Sequence, residues 1–241
     1  MMGALLQSRP RRRSDRGTSA GARGPDTPSP ISMLLVDDRR AASYSLWALL
    51  NWQRDLHVIA TAQSSAEALT LTTRHRPDVC LVSIELGPAG ALRLIDRLKA
   101  LENPPRVLVY ADATDTGMAA AALVAHADGL VWRYADPATL AAAIKDIVVG
   151  RERFPAFERD APQRLADQVA DGDRAIVSML VSRTPRDDIA RILGISARKV
   201  DARRQNILGQ LDRAIPNVHP EVAHVKTVAT QPDQHLFAPA S

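Results

Sequence analysis

The 241 residues contain one cysteine, Cys80. An intramolecular disulfide framework and a cysteine-built zinc cluster are therefore excluded, and a reducing, cytoplasmic setting is the expectation. No stretch reaches the roughly 18 uninterrupted apolar residues of a membrane span. The longest apolar runs, such as Met118–His126, are short and Ala-rich, so a soluble chain without a membrane partner is expected. His57, His75, His126, His219, His224 and His235 have no metal-ligand spacing with one another or with Cys80. Ser83 has no evident His partner. Neither a metalloenzyme nor a hydrolase is expected, and no cofactor or metal is read. Cys80, inside an apolar run, reads as a small core residue.

What is present is enough apolar material, 46% of residues, for one large or two small packed domains. The net charge of +4 is unevenly placed. Residues 1–30 hold six Arg against two Asp, and 173–213 hold nine bases against five acids, whereas 31–150 hold eleven bases against thirteen acids. Two basic segments thus flank a mildly acidic body. Residues 1–30 are rich in Arg, Gly, Ser and Pro and are read as a disordered basic tail. Arg11-Arg12-Arg13 suggests a twin-arginine export signal, but no apolar region follows it.

From residue 32 a short β-rich run and a helical stretch alternate five times. The runs are Met33–Val36, His57–Thr61, Val79–Ser83, Val107–Tyr110 and Leu130–Trp132. Each is nearly continuously apolar, as in strands covered on both faces by helices. The helices between them are expected at Arg40–Trp52, Ser65–Arg74 with Ser65 as cap, Ala89–Leu101, Thr114–Ala127 and Pro137–Val149. The fold class implied is α/β plus all-α: a (βα)5 doubly wound, flavodoxin-like domain over 31–150, then a small helical domain. Residues 151–172, with Pro155 and Pro162, read as a linker with room for one helical piece, and 214–241 as a flexible C-terminal tail.

Over 173–213 three helical segments are expected, Asp173–Ser182, Arg186–Leu193 and Ala197–Asp212. The sharpest local signal is Gly194-Ile195-Ser196, a Gly for the turn followed by a Ser that caps the next helix. This is the wiring of a DNA-binding helix-turn-helix, with double-stranded DNA as partner. A spacing of 100° per residue puts Val200, Arg204, Ile207, Leu208 and Leu211 on one side of the third helix. Arg198, Ala202, Gln205 and Gly209 fall on the other, expected to face outward. Arg198 and Gln205 would meet base edges across the small Ala202, and Lys199, Arg203 and Asn206 would meet phosphates. Arg204 reads as a structural pair partner. The competing reading is a helical hairpin for protein contacts, favoured by Asp201, whose carboxylate would repel phosphate.

Asp37 and Asp38 close the first strand, where open parallel sheets place their ligands. With Leu34-Leu35-Val36-Asp37-Asp38, Pro77-Asp78-Val79-Cys80-Leu81-Val82, Ala127-Asp128-Gly129, Asp188–Ser196 and Asn206-Ile207-Leu208, residues 32–213 resemble two-component response regulators of the NarL/FixJ class. Those carry a receiver domain and a LuxR-type helix-turn-helix. The resemblance implies a phosphorylated aspartate where this chain has Ser83, a switch Ser/Thr where it has Ala111, a lysine where it has Arg133 and an aromatic where it has Leu130. A receiver of that kind holds Mg²⁺ with three carboxylates and grips phosphoryl oxygens with a lysine and a hydroxyl. The departures imply a pseudo-receiver, insensitive to phosphodonors, in which Arg133 pairs with Asp37 or Asp38 in the metal's place.

The expectation is a sequence-specific DNA-binding transcriptional regulator, working as a homodimer because one recognition helix reads few base pairs. Two other classes stay open. One is a ligand-responsive regulator that takes a small-molecule effector in the degenerate pocket of Asp37, Asp38, Ser83, Ala111 and Arg133. The other is a protein-interaction adaptor that binds no DNA.

Overall fold

The computed structural model describes residues 29–86, 90–111, 116–156 and 160–215. Apart from their innermost two residues, the segments read as N- and C-terminal tails lie outside these. Five strands, β1 (Ile31–Val36), β2 (Leu56–Ala62), β3 (Val79–Ser83), β4 (Arg106–Ala111) and β5 (Gly129–Trp132), form one parallel sheet in the order β2-β1-β3-β4-β5. That is the flavodoxin-like doubly wound arrangement the alternation predicts. Helices α1 (Arg40–Asn51), α2 (Ser65–His75), α3 (Ala91–Lys99), α4 (Thr116–Val124) and α5 (Pro137–Val148) connect them.

Alternate residues along each strand serve opposite faces, so the apolar runs build two cores. Met33, Leu35, Val79, Leu81, Leu108 and Tyr110 pack with Leu50, Leu140, Ile144 and Ile147 under α1 and α5. Leu34, Val36, Cys80, Val82, Val107 and Val109 pack beneath α2, α3 and α4. This second core does not stop at the α/β layer. It continues through Leu165, Val169, Ile176, Val177, Ile207, Leu208 and Leu211 into the C-terminal helices. These are α6 (Ala161–Asp167), a 3₁₀ turn at Asp171–Asp173, α7 (Arg174–Val181), α8 (Arg186–Leu193) and α9 (Ala197–Ala214). The helical piece allowed for in the linker is α6, and it packs on α4. No helix among the described residues is long and apolar enough to cross a membrane.

Local chemistry sets the boundaries. The cap of α2 is Ser64, not the expected Ser65: Ser64 is extended and its side chain accepts from Glu67 N, while Ser65 is buried with an unbonded hydroxyl. One residue decides the difference, because only the residue still outside helical dihedrals can turn its oxygen onto the first-turn N–H groups. Helix α4 closes earlier than the expected Ala127. His126 adopts a left-handed φ of 65°, and the N–H groups of His126 and Ala127 return to Leu123 O and Ala122 O, a Schellman closure.

Asp128 ties the sheet's lower edge by accepting from Val107 N, Lys99 and Arg106 at 2.7, 2.8 and 3.0 Å. The chain then returns past α5 and runs beside β5. Leu130 N donates to Arg153 O at 2.7 Å, and Arg153 N to Asp128 O at 3.0 Å. This cover protects an otherwise open edge. It needs Gly129, since a Cβ there would sit 2.5 Å from Arg153 O. Gly129→Ala is expected to destabilise the chain by about 1–3 kcal/mol, read as a lower urea midpoint at unchanged slope.

Candidate functional site

Two groups of residues singled out by the sequence come together in different places. The first lies at the carboxyl ends of β1, β3, β4 and β5. Asp37 and Ser83 are fully buried there, and Ala111 is buried beside Trp132, its partner across β4 and β5. A buried carboxylate is tolerated only when its lone pairs are matched, and Asp37 is heavily matched. Its Oδ1 accepts from the backbone N–H of Arg39 at 2.9 Å and from Arg39 Nε at 3.3 Å. Its Oδ2 accepts from the Tyr110 hydroxyl at 2.7 Å and from Arg133 Nη1 at 3.2 Å.

Arg133 does more than meet Asp37. Its Nη2 donates to Glu85 Oε2 at 2.9 Å and to Ser83 Oγ at 3.3 Å. Its guanidinium carbon lies 4.5 Å from the centre of the Tyr110 ring, within cation–π range. Arg39 Nη2 also reaches Glu85 Oε2, at 3.0 Å. The result is a closed network of two guanidiniums, two carboxylates, a phenol and a hydroxyl.

Ionisation follows this burial. Burial raises the Tyr110 phenol well above its ordinary value, and neighbouring Asp37 raises it further, so it stays a donor. Burial also raises Glu85, against the pull of Arg39. Burial would lower Arg39, but its bond to Asp37 and the charges of Asp37 and Glu85 together outweigh that, and the guanidinium titrates higher than usual.

A divalent cation does not fit this arrangement. Magnesium asks for near-octahedral oxygen donors with their lone pairs available. Here both Asp37 oxygens are spent on cationic or phenolic donors, and Ser83 supplies a hydroxyl where a third carboxylate would be needed. Among the described residues no group of three or more His, Cys, Asp or Glu could hold a metal ion. Arg39, Glu85 and Tyr110 belong to the network although sequence reasoning missed them. The adjacency of Arg39 to Asp37-Asp38 was the one available signal.

The second group lies on α9. Helix α8 ends at Gly194, with φ 63°, and Ile195 N returns to Ala190 O at 3.0 Å. Ser196 then caps α9 by accepting from Lys199 N at 3.3 Å. Ile189, Ala190 and Val200 close a small apolar junction between the two helices. Arg198, Lys199, Ala202 and Asn206 are exposed. Arg203 instead reaches back to Gly172 O at 2.7 Å and to Asp173.

The side of α9 expected to look outward is partly covered. Gly209 is buried beside the Arg93 guanidinium, and Gln205 donates to Asp96 of α3. Arg204 pairs with the same Asp96, which is only 5% exposed. Asp212 accepts from Leu92 N at 2.9 Å and Arg93 N at 3.2 Å, so a residue of α9 caps the start of α3. The reason is steric as well as electrostatic. Gly90 precedes α3 at φ 74°, and a Cβ on it would collide with the Asp212 carboxylate. Periodicity places residues on faces, but it cannot say which face a neighbouring helix covers.

A family model described as the response regulator receiver domain matches residues 33–145. The DNA-binding transcriptional activator DevR/DosR of Mycobacterium tuberculosis is 30% identical over 195 residues, 75% of this chain and 88% of that protein. The chain belongs to the response-regulator family. The nitrate/nitrite response regulator protein NarL of Escherichia coli is also similar, at 22% identity over 193 residues, 76% of this chain and 89% of that protein. In fold, this response regulator is similar to the structure of two RcsB dimers bound to two parallel DNAs. The TM-score is 0.51 and the identity 13%, covering 78% of this chain and all of that one.

Removing Arg133 from this response regulator would leave Asp37 and Glu85 buried with one cation fewer. Arg133→Ala is therefore expected to cost about 3–5 kcal/mol, measured by urea denaturation. Arg133→Lys should recover only part, because an ammonium cannot reach Asp37, Glu85 and Ser83 with a planar fork. Burial pushes the Cys80 thiol up to about 12. The native chain should thus resist thiol reagents at pH 8 and react at the rate of a free thiol once unfolded in urea.

Proposed function

We propose that this chain is a sequence-specific DNA-binding transcriptional regulator whose receiver domain works without phosphorylation. The observation that carries the DNA reading is the α8–Gly194–Ser196–α9 junction, which leaves Arg198, Lys199, Ala202 and Asn206 exposed along the first turns of α9. Arg198 reads base edges. Lys199 meets phosphate, joined by Arg203 once it swings from Gly172. The likeness to DevR/DosR, named as a DNA-binding transcriptional activator, supports the same reading. Asp201, which by itself would repel phosphate, is paired with Arg186 at 3.3 Å, so its charge is locally offset.

In this reading residues 31–150 form the receiver-like domain, 151–172 the connection and 173–213 the DNA-binding domain. The closed packing is a resting state. Gln205 cannot reach a base while it is bonded to Asp96, and α3 stands against the C-terminal half of the α9 face. Binding therefore draws on the fraction of molecules in which α9 has left α3. Two copies on half-sites about one helical turn apart supply specificity. The setting is cytoplasmic.

Phosphorylation independence rests on the Asp37–Arg133–Ser83–Glu85 network. It has no carboxylate at position 83 to form an acyl phosphate, and cations already occupy the oxygens a metal would need. Acetyl phosphate with Mg²⁺ should accordingly add no mass to the chain and leave its DNA affinity unchanged. A phosphorylated, tighter-binding species would overturn this half of the reading.

DNA binding itself is checked on a site selected from a random library. Affinity should fall steeply with salt, and Lys199→Ala should reduce the salt slope by about 1. Arg198→Ala should relax base preference at one position, at a cost of about 1–3 kcal/mol. Asp96→Ala, which frees Arg204 and Gln205, should tighten binding. No salt-dependent retention of any sequence would favour the adaptor instead.

A further inference from the structure

The closed packing leaves a cavity of about 350 Å³ at the seam between the α/β layer and the C-terminal helices. That falls in the range of small-molecule sites. The α/β side contributes Leu123, His126 and Asp128, with Glu152 beside them. The helical side contributes Arg183, Arg186 and Arg204, with Thr184 between the first two. At the sheet's carboxyl ends, the alternative place for an effector, Arg133 is already bonded to Asp37, Ser83 and Glu85.

The charges at the seam are arranged unevenly. Asp128 is already held by Lys99 and Arg106, so it offers little to a ligand. Arg204 is mostly buried, and although its Nη1 is in ion contact with Asp96, that nitrogen donates no aligned hydrogen bond. Arg183 and Arg186 are about half exposed, their partners Glu152 and Asp201 are too, and Arg186 also meets the more exposed Asp187 at 3.3 Å. Such exposed pairs are weak and exchange readily with a better acceptor.

Backbone geometry points the same way. Helices α4 and α7 both end at this cavity on non-glycine residues in left-handed conformation, His126 at φ 65° and Arg183 at φ 58°. Both close by Schellman bonds, the second through Arg183 N to Leu180 O and Thr184 N to Met179 O. Their last carbonyls are thus engaged, and the helix ends present the Arg183 guanidinium and the His126 imidazole, which burial holds toward its neutral form, in place of bare oxygens. Helix α8 begins at the same rim, at Arg186, without a side-chain cap, and its first-turn Asp187 and Asp188 already answer its dipole, so the arginines carry the attraction.

We propose that the seam cavity binds a small anion, a carboxylate- or phosphate-bearing molecule, held by Arg183, Arg186 and Arg204 and bounded on the α/β side by Leu123 and His126. Both walls of the site exist together only in the closed packing, so the bound anion holds α9 against α3 and opposes any event that separates them. The proposal rests on the closed packing alone and not on DNA being the partner.

The test titrates the full chain with inorganic phosphate and, separately, with citrate, at ionic strength held constant by chloride. Isothermal calorimetry and thermal unfolding are the readouts. Saturable binding at one site per chain with a rising Tm is expected for at least one of the two. Saturation by phosphate alone assigns a phosphate-bearing ligand, and saturation by citrate alone a carboxylate-bearing one. Arg183→Gln and Arg186→Gln should each weaken binding by about tenfold, as for loss of a charge-assisted bond.

Glu152→Gln, which removes the competitor for Arg183, should instead tighten binding. It gives an independent gain-of-affinity arm should the arginine variants fold poorly. Arg213→Gln, exposed near the far end of α9, should change nothing. Absence of saturable binding by either anion overturns the proposal. Binding that is indifferent to both Arg183→Gln and Glu152→Gln overturns it too.

Discussion

A fully buried carboxylate dictates the upper end of the sheet. Asp37 has no access to water, so its charge must be met by donors fixed in place, and those four donors come from three separate stretches of chain: the backbone and side chain of Arg39 after β1, Tyr110 in β4 and Arg133 after β5. Each is held by its own strand or by the turn beyond it, and Glu85 links the two guanidiniums from the end of β3. Once Asp37 is satisfied in this way, the spacing of all these strand ends is set. In the wider family the resemblance implies a site for reversible chemistry here. In this chain Asp37 and Glu85 face guanidiniums and a phenol kept protonated by burial, and the proposed phosphorylation independence rests on that pairing.

The second half of the molecule is organised by a different constraint, the continuity of one apolar core across the seam. Leu165, Ile176, Ile207, Leu208 and Leu211 pack in the same cluster as Leu94, Leu98, Ala120 and Val124. Polar contacts then select the register: Asp96 receives Arg204 and Gln205, and Asp212 caps α3. Burial supplies most of the attraction and the charged contacts supply the alignment. Its polar contacts are concentrated at these two carboxylates.

The strands, the helices between them and the α8–α9 turn were legible because their signals are local. An apolar run of five residues, a Gly able to take positive φ and a Ser ahead of a helical repeat each act within a few residues. The α2 cap was misplaced by one position because Ser64 and Ser65 are chemically alike and only the backbone angle separates them. Arg39 is marked only by its place beside Asp37-Asp38, and nothing in their neighbourhoods marks Glu85 and Tyr110; the three meet only when the sheet brings β1, β3 and β4 together. The burial of Gly209 and the bond from the exposed Gln205 to Asp96 are equally hidden, since the helical wheel of α9 does not know where α3 lies. Long-range packing, not local propensity, accounts for each of these gaps.

Gly90 bears on how the chain can vary. The first turn of α3 is finished by a carboxylate that lies 120 residues further along, and that carboxylate fits only because position 90 has no side chain. A change there would be felt in two places at once, fraying a helix in one half of the molecule while evicting an anchor from the other. Inheritance of the two positions is therefore tied: a lineage that gave up the glycine would be under pressure to shorten or replace the distant aspartate, and the pair should drift together or not at all.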